Sequence, residues 1–242
     1  QKSEELPHSS ILLTDKSDTP EHLNFSKVIT LKIGKLTPSK KSESPIALIL
    51  HPEPNQGGTM NNKVIFGLYR EFVKRDFSTL RFNFRGVGKS QGSYDDGEGE
   101  LADAATAMDW IQTQNPNATH CWVAGFSFGA WIGMQLMMRR PEIKGFLSLS
   151  APALSKDFAF LAPCPSSGAF IHGSEDEVVP PHALSRVLEK ISIQKGELIE
   201  DIIINGADHF FNDHNSEMIE SVGNYLDSRL DKDGNFIKNS NK

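Results

Sequence analysis

Cys121-Trp122-Val123-Ala124-Gly125-Phe126-Ser127-Phe128-Gly129-Ala130 is the stretch on which the reading of this chain turns. Residues 121–124 form an apolar run of strand type, and 130–138 have helical period. Between them lies Gly-x-Ser-x-Gly. A strand that becomes a helix within so few residues forces the serine into strained backbone geometry, and only small flanking residues avoid collision. The serine oxygen then projects above the carboxyl edge of a sheet, beside a helix N-terminus whose dipole favours negative charge. Ser127 is therefore expected to be a nucleophile. The competing reading is a glycine-rich turn whose serine only caps the helix.

Outward from this point the chain is regular. Short apolar runs at 46–50, 79–84, 145–149, 169–171 and 199–204 alternate with helical stripes. The runs are near-continuous rather than alternating, as in parallel strands covered on both faces. Val64, Leu68 and Phe72 mark one helix, and Leu101, Ala104, Ala105, Met108 and Ile111 a second. Leu184, Val187, Leu188 and Ile191 mark a third, and Met218, Val222, Tyr225 and Leu226 the last. Strand–helix alternation through right-handed crossovers predicts an α/β fold, a doubly wound, mostly parallel sheet of about seven or eight strands. Residues 28–33 read as an edge strand and 35–44 as turn-like. Residues 1–26 read as a flexible polar arm, 27–230 as a single domain and 231–242 as a frayed polar tail. Between Ser150 and Gly168 there is room for a short helix over the strand ends, but not for a large cap domain.

Composition narrows the function. The 242 residues are 38% apolar and carry a net charge of −6, whereas a phosphate-neutralising surface leaves a basic excess, so no nucleic-acid partner is expected. Two cysteines, Cys121 and Cys164, exclude a disulfide framework and a cysteine zinc cluster. Cys121 lies on the strand side as a core thiol, whereas Cys164 falls in a loop open to exposure. No apolar run reaches the roughly 20 residues that span a bilayer. Residues 1–5 lack a basic and an apolar signal region, so the expectation is a cytoplasmic protein with no membrane association. A homo-oligomer stays open.

A serine hydroxyl needs a base to take its proton and an acid to orient that base. In this architecture the order is Ser, then Asp or Glu, then His. Phe170-Ile171-His172-Gly173-Ser174-Glu175-Asp176 places Asp176 just past a strand, and Asn205-Gly206-Ala207-Asp208-His209-Phe210-Phe211 does the same for His209. Ligands of open α/β sheets sit at these carboxyl ends. Asp176 alternatively caps the helix near Pro180, with Glu175 or Glu177 as competing acids, and His209 alternatively packs in the core. The remaining histidines fit the order less well. His214 with Asp213 and Asp208 hints at a metal site, but such pairs usually mark a solvated face, and no metal is expected. The developing oxyanion needs backbone donors. One is the N–H of Phe128; the other is expected from the loop His51-Pro52-Glu53-Pro54-Asn55-Gln56-Gly57-Gly58. Pro52 and Pro54 have no N–H, so Glu53 is the first candidate and Asn55 a weaker one. His51 is expected to fix this loop by hydrogen bonding.

Phe84-Arg85-Gly86-Val87-Gly88-Lys89-Ser90 invites nucleotide readings, and both fail on spacing. A P-loop needs glycine where Asn83 stands, and a dinucleotide fingerprint needs it at Gln91. Asp95, Asp96, Glu98 and Glu100 would repel a pyrophosphate. No cofactor is expected; the segment reads as a tight loop near the site.

As a set, 51–64, 81–90, 121–131, 160–168 and 207–211 resemble the α/β-hydrolase superfamily, and within it a group of small bacterial serine hydrolases without an attached substrate. The resemblance covers about residues 45–230. It implies the α/β-hydrolase fold and a Ser127–Asp176–His209 triad. Elbow aspartate, used by dehalogenases and epoxide hydrolases, and elbow cysteine, used by dienelactone hydrolases, are both absent. Phe126, Phe128, Trp131, Phe158, Phe160, Phe210 and Phe211 cluster near the site in sequence, which favours an apolar acyl group. The expected function is hydrolysis of a small-molecule acyl substrate, a short carboxylic ester. Peptidase or aminopeptidase activity, thioesterase activity, and a catalytically silent binding protein are the alternatives.

Overall fold

The computed structural model describes residues 10–13, 29–37, 43–192, 198–231 and 236–237. Among them eight strands form one sheet: β1 (Ser10–Leu13), β2 (Ile29–Thr37), β3 (Ile46–Leu50), β4 (Ser78–Phe82), β5 (Cys121–Phe126), β6 (Ile143–Leu149), β7 (Ser167–Gly173) and β8 (Ile199–Ile204). Their order is β1-β2-β4-β3-β5-β6-β7-β8. The last six are parallel, and β1 and β2 extend one side in antiparallel pairing. Helices α1 (Lys63–Lys74) and α5 (Asn215–Arg229) cover one face; α2 (Glu98–Gln114), α3 (Phe128–Arg139) and α4 (Pro181–Ser192) cover the other. This is the doubly wound, mostly parallel sheet without a large cap that the apolar runs predict.

The two-sided burial explains those runs. In β3, Ala47 and Ile49 pack toward α1 and α5 while Ile46, Leu48 and Leu50 pack toward α2 and α3, and none of the five is exposed. A strand sealed on both faces has no polar position to alternate. β8 lies at the sheet edge, and there Glu200 and Asp201 interrupt the apolar run and Ile203 is 53% exposed.

Four readings differ from the observed structure. Within the stretch expected to be an arm, Ser10–Leu13 is a strand, and it pairs with β2, which runs on to Thr37 through part of the expected turn. β2 is accordingly second in the sheet rather than its edge. Short strands flanked by polar residues leave little periodicity to detect. The rest of 1–26 lies outside the described residues. Within the expected tail, Phe236 bridges back to Leu230, and its ring packs 5.9 Å from that of Trp122, under the Arg229 guanidinium. A lone aromatic in a polar stretch escapes a compositional reading. The short element expected over the strand ends is a 3₁₀ turn, Ala159–Leu161. Among the described residues no helix is long and apolar enough to cross a membrane.

The sheet delivers the site by bringing strand ends together. Ser127 N–H donates to Leu149 O at 2.8 Å, Ser150 N–H to Ile171 O at 2.9 Å, and Ser174 N–H to Ile204 O at 3.0 Å. The loops leaving β5, β6 and β7 are thus each tied to the neighbouring strand.

Close backbone approach at α3 is a strict requirement. A Cβ on Gly129 would lie 2.2 Å from Leu50 O, a backbone atom that cannot swing aside. Gly129→Ala is expected to cost about 1–3 kcal/mol in urea unfolding, through overpacking. Gly57→Ala, at φ +80° but with nothing within 4 Å, should cost about 1 kcal/mol of backbone strain. Equal losses would contradict this packing.

Candidate active site

Ser127 occupies the turn between β5 and α3 with φ 52° and ψ −117°, a strained conformation for a residue with a side chain. Gly125 makes the turn feasible, because a Cβ there would sit 2.3 Å from Gly129 O. The serine makes no side-chain capping bond to α3, so its hydroxyl is free of the role that the competing reading assigned to it. Its Oγ lies 3.2 Å from His209 Nε2.

His209 follows β8 and is 4% exposed. Its Nδ1 lies 2.7 Å from Asp176 Oδ2. A carboxylate only accepts, so Nδ1 carries the proton and Nε2 turns its lone pair to the serine. Asp176 follows β7, and its other oxygen accepts the N–H groups of Val178 (2.9 Å) and Val179 (2.7 Å). It therefore caps the chain turning toward α4 and orients the imidazole at once, while Glu175 and Glu177 are exposed. The His209 carbonyl accepts from Ser150 Oγ at 3.0 Å. Ser150 has φ 43° and was not anticipated from sequence; a lone serine at a strand end carries no signal for such a bond. Asp208 spends its oxygens on Phe210 N–H, Asn212 N–H and the Asn212 side chain, which shape the turn that presents His209.

The loop after β3 faces the serine. Among the described residues, neither the Phe128 nor the Glu53 N–H donates to another protein group. Asn55 N–H instead points to Glu53 Oε1 at 3.4 Å, which leaves Glu53 as the loop's open donor. The Glu53 carbonyl accepts from Gln56 and Gly58, closing a 3₁₀ turn, and Tyr94 OH donates to Glu53 Oε2 at 3.4 Å. Burial, then the Glu53 charge, pushes the Tyr94 phenol well above its ordinary range.

His51 pins this loop. Its Nδ1 is 2.7 Å from Pro52 O, and its Nε2 accepts the Phe84 N–H at 3.0 Å. An acceptor at Nε2 and a donor at Nδ1 require the neutral ring, and burial lowers its pKa from 6.5 to about 4. The bond joins the β3 loop to the glycine-rich segment after β4, where Gly86 and Gly88 take φ 73° and 59°. That segment is the tight loop expected. Glu100, read as repelling a pyrophosphate, is fully buried and accepts the N–H groups of Gly97 and Asp95.

These parts line one cleft of about 340 Å³ that holds Glu53, Ser127, Phe128 and His209. Its rim carries Leu154, Val178 and Phe210, which are 62%, 54% and 47% exposed. Of the aromatics clustered in sequence, Phe126, Phe128, Phe158 and Phe211 are buried, and Phe210 stands edge-on 5.0 Å from the His209 ring. Cys164 is buried rather than exposed, its thiol 3.3 Å from Ser166 O. Burial pushes the Cys121 thiol up to about 11.

Known proteins share this fold. ATU1826 of Agrobacterium tumefaciens, a protein of unknown function assigned to the α/β hydrolases, is 48% identical, with TM-score 0.82 over 91% of this chain and 96% of its own. The chain belongs to the α/β-hydrolase superfamily. Another α/β hydrolase, the serine hydrolase homologue of Coxiella burnetii, is 32% identical with TM-score 0.77 over 93% of this chain and 100% of its own. RP471 of Rickettsia prowazekii is 46% identical over 80% of this chain and 83% of its own. The serine aminopeptidase family S33 model matches residues 56–169 of this α/β hydrolase.

The neutral His51 makes stability depend on pH. Between about pH 4 and 6.5 the unfolded chain binds a proton that the folded chain refuses, so stability falls as pH drops through that window. His51→Gln removes the proton site. The stability advantage of the native protein over this variant is therefore expected to shrink by about 3 kcal/mol from pH 7 to pH 4 in urea unfolding. An advantage constant with pH would contradict the neutral ring.

Proposed function

We propose that this α/β hydrolase cleaves small carboxylic esters through an acyl-enzyme on Ser127. The observation that carries the proposal is the file of contacts from Ser127 Oγ to His209 Nε2, 3.2 Å, and from His209 Nδ1 to Asp176 Oδ2, 2.7 Å. The neutral imidazole takes the hydroxyl proton as Oγ attacks the carbonyl carbon. Negative charge then moves to the carbonyl oxygen, facing the N–H groups of Phe128 and Glu53, and each such donor is worth about 3 kcal/mol in the transition state. The imidazolium returns its proton to the departing alkoxide, leaving the acyl group on Ser127. Water, deprotonated by the same nitrogen, attacks that acyl carbon and releases the acid. Asp176 holds the ring and balances its transient positive charge.

Esters come before peptides for two reasons. The exposed Leu154, Val178 and Phe210 offer an apolar seat for an acyl chain. An aminopeptidase needs a carboxylate for the substrate ammonium, and among the described residues the cleft's one carboxylate, Glu53, is engaged by Tyr94 and Asn55. The family S33 match keeps peptide hydrolysis as the second reading.

A fluorophosphonate probe and 4-nitrophenyl butyrate test the proposal. The native protein should be labelled and active, Ser127→Ala neither, and Asp176→Asn should lose about 10³–10⁴-fold in kcat. Absence of labelling in the native protein would favour a silent binding protein. Faster turnover of aminoacyl amides than of butyrate esters would favour the peptidase reading.

A further inference from the structure

A second cavity, about 460 Å³ and larger than the cleft on Ser127, opens between the segment after β6 and one flank of α4. The two spaces share a wall, Leu154, Ser155 and Lys156. That wall is a defined structure: the N–H groups of Ser155 and Lys156 both donate to Pro152 O, closing a turn.

The charge of this cavity runs against that of the chain. In a protein of net charge −6, it is lined by Lys156, Arg186 and Lys190, with His182 at one end and Asp157 as its one carboxylate among the described residues. Asp157 is partly occupied, since its Oδ1 accepts Ala159 N–H at 2.7 Å. Among the described residues, none of the three cations lies within ion-pair distance of a carboxylate. His182, Arg186 and Lys190 recur every fourth residue, one ridge of α4 turned to the cavity. Like charges at this spacing oppose helix formation. Lys190, in the last turn, also complements the helix dipole, but Arg186, mid-helix, has no such compensation. Lys156 Nζ rests 4.5 Å above the Trp131 ring, which holds the ammonium at the junction of cavity and cleft.

We infer that the substrate of Ser127 carries an anionic group, a carboxylate or a phosphate, remote from the scissile carbonyl, and that this group enters the second cavity to meet Lys156, Arg186 and Lys190. The inference rests on the hydrolase reading of Ser127. The anion neutralises the repulsion between neighbouring cations, and the shared residues Leu154, Ser155 and Lys156 make its site adjacent to the cleft. Leu154 on the same wall contacts the apolar part between the two groups. The substrate is thus an amphiphilic ester with one charged end.

The test compares kcat/KM for 4-nitrophenyl butyrate with that for 4-nitrophenyl esters of similar chain length ending in a carboxylate or a phosphonate. A second set places the carboxylate or phosphate on the alcohol of a butyrate ester. The expected result is a preference of about tenfold for an anionic ester in at least one set, carried by KM. It should collapse near 1 M salt, where the screening length is about 3 Å. Arg186→Ala/Lys190→Ala should bring the anionic-to-neutral ratio toward one, and Lys190→Glu, at an exposed position, should lower it in a protein whose melting temperature is checked. The stronger of the carboxylate and phosphate arms identifies the charged group. Equal rates for neutral and anionic esters, or a preference that survives both variants, would overturn the inference while fluorophosphonate labelling still upheld the hydrolase. Loss of labelling and of all ester turnover would instead overturn the hydrolase reading, and this inference with it.

Discussion

At Ser127 the backbone leaves β5 and enters α3 in a left-handed conformation, φ 52° and ψ −117°, which costs on the order of 1–3 kcal/mol and persists only because its surroundings over-determine it. The restraint is steric on one side and hydrogen-bonded on the other. Gly125 and Gly129 let α3 come down onto Leu50 O and onto the turn itself, and Ser127 N–H is held by Leu149 O. Everything functional is referred to this point. The hydroxyl stands clear of the helix it precedes, and the next N–H, that of Phe128, has no acceptor among the described residues because the helix has only begun.

Around the elbow, separate loops are locked to one another rather than to solvent. His51 ties the β3 loop to Phe84, Ser150 ties the β6 end to the His209 carbonyl, and Asp176 binds Val178, Val179 and His209 together. Each of these side chains is nearly or fully buried, so water does not compete for the bonds. In the proposed acyl transfer, the imidazole and the loop facing Ser127 would therefore be held in position beforehand, which is the condition for electrostatic stabilisation without reorganisation.

Much of this was legible because it is local. The β3 run coincides with the apolar stretch at 46–50, since a sealed parallel strand leaves an unbroken apolar signature, whereas edge strand β8 is found at 199–204 in spite of Glu200 and Asp201. The elbow was legible because strand, Gly-x-Ser-x-Gly and helix are contiguous. Asp176 and His209 could be nominated from chain order and post-strand position, but the choice of Asp176 over its neighbours Glu175 and Glu177 needed the fold to show which of the three reaches the imidazole. What stayed hidden is tertiary. Ser150 looks like any serine, Phe236 like an isolated aromatic in a polar stretch, and Cys164 like a loop thiol until neighbours bury it. The ridge His182, Arg186 and Lys190 reads as a solvated helix face, and only the segment after β6 turns it into the wall of a cavity.

The most direct measurement is a crystal structure of the protein after reaction with a fluorophosphonate, whose tetrahedral phosphorus mimics the first intermediate. The expected result is a covalent bond from Ser127 Oγ to phosphorus, with the phosphonyl oxygen about 2.7–3.1 Å from the N–H groups of both Phe128 and Glu53 and His209 Nε2 beside Oγ. A probe bound to another residue, or a Ser127 adduct whose phosphonyl oxygen faces solvent away from both N–H groups, would contradict the assignment.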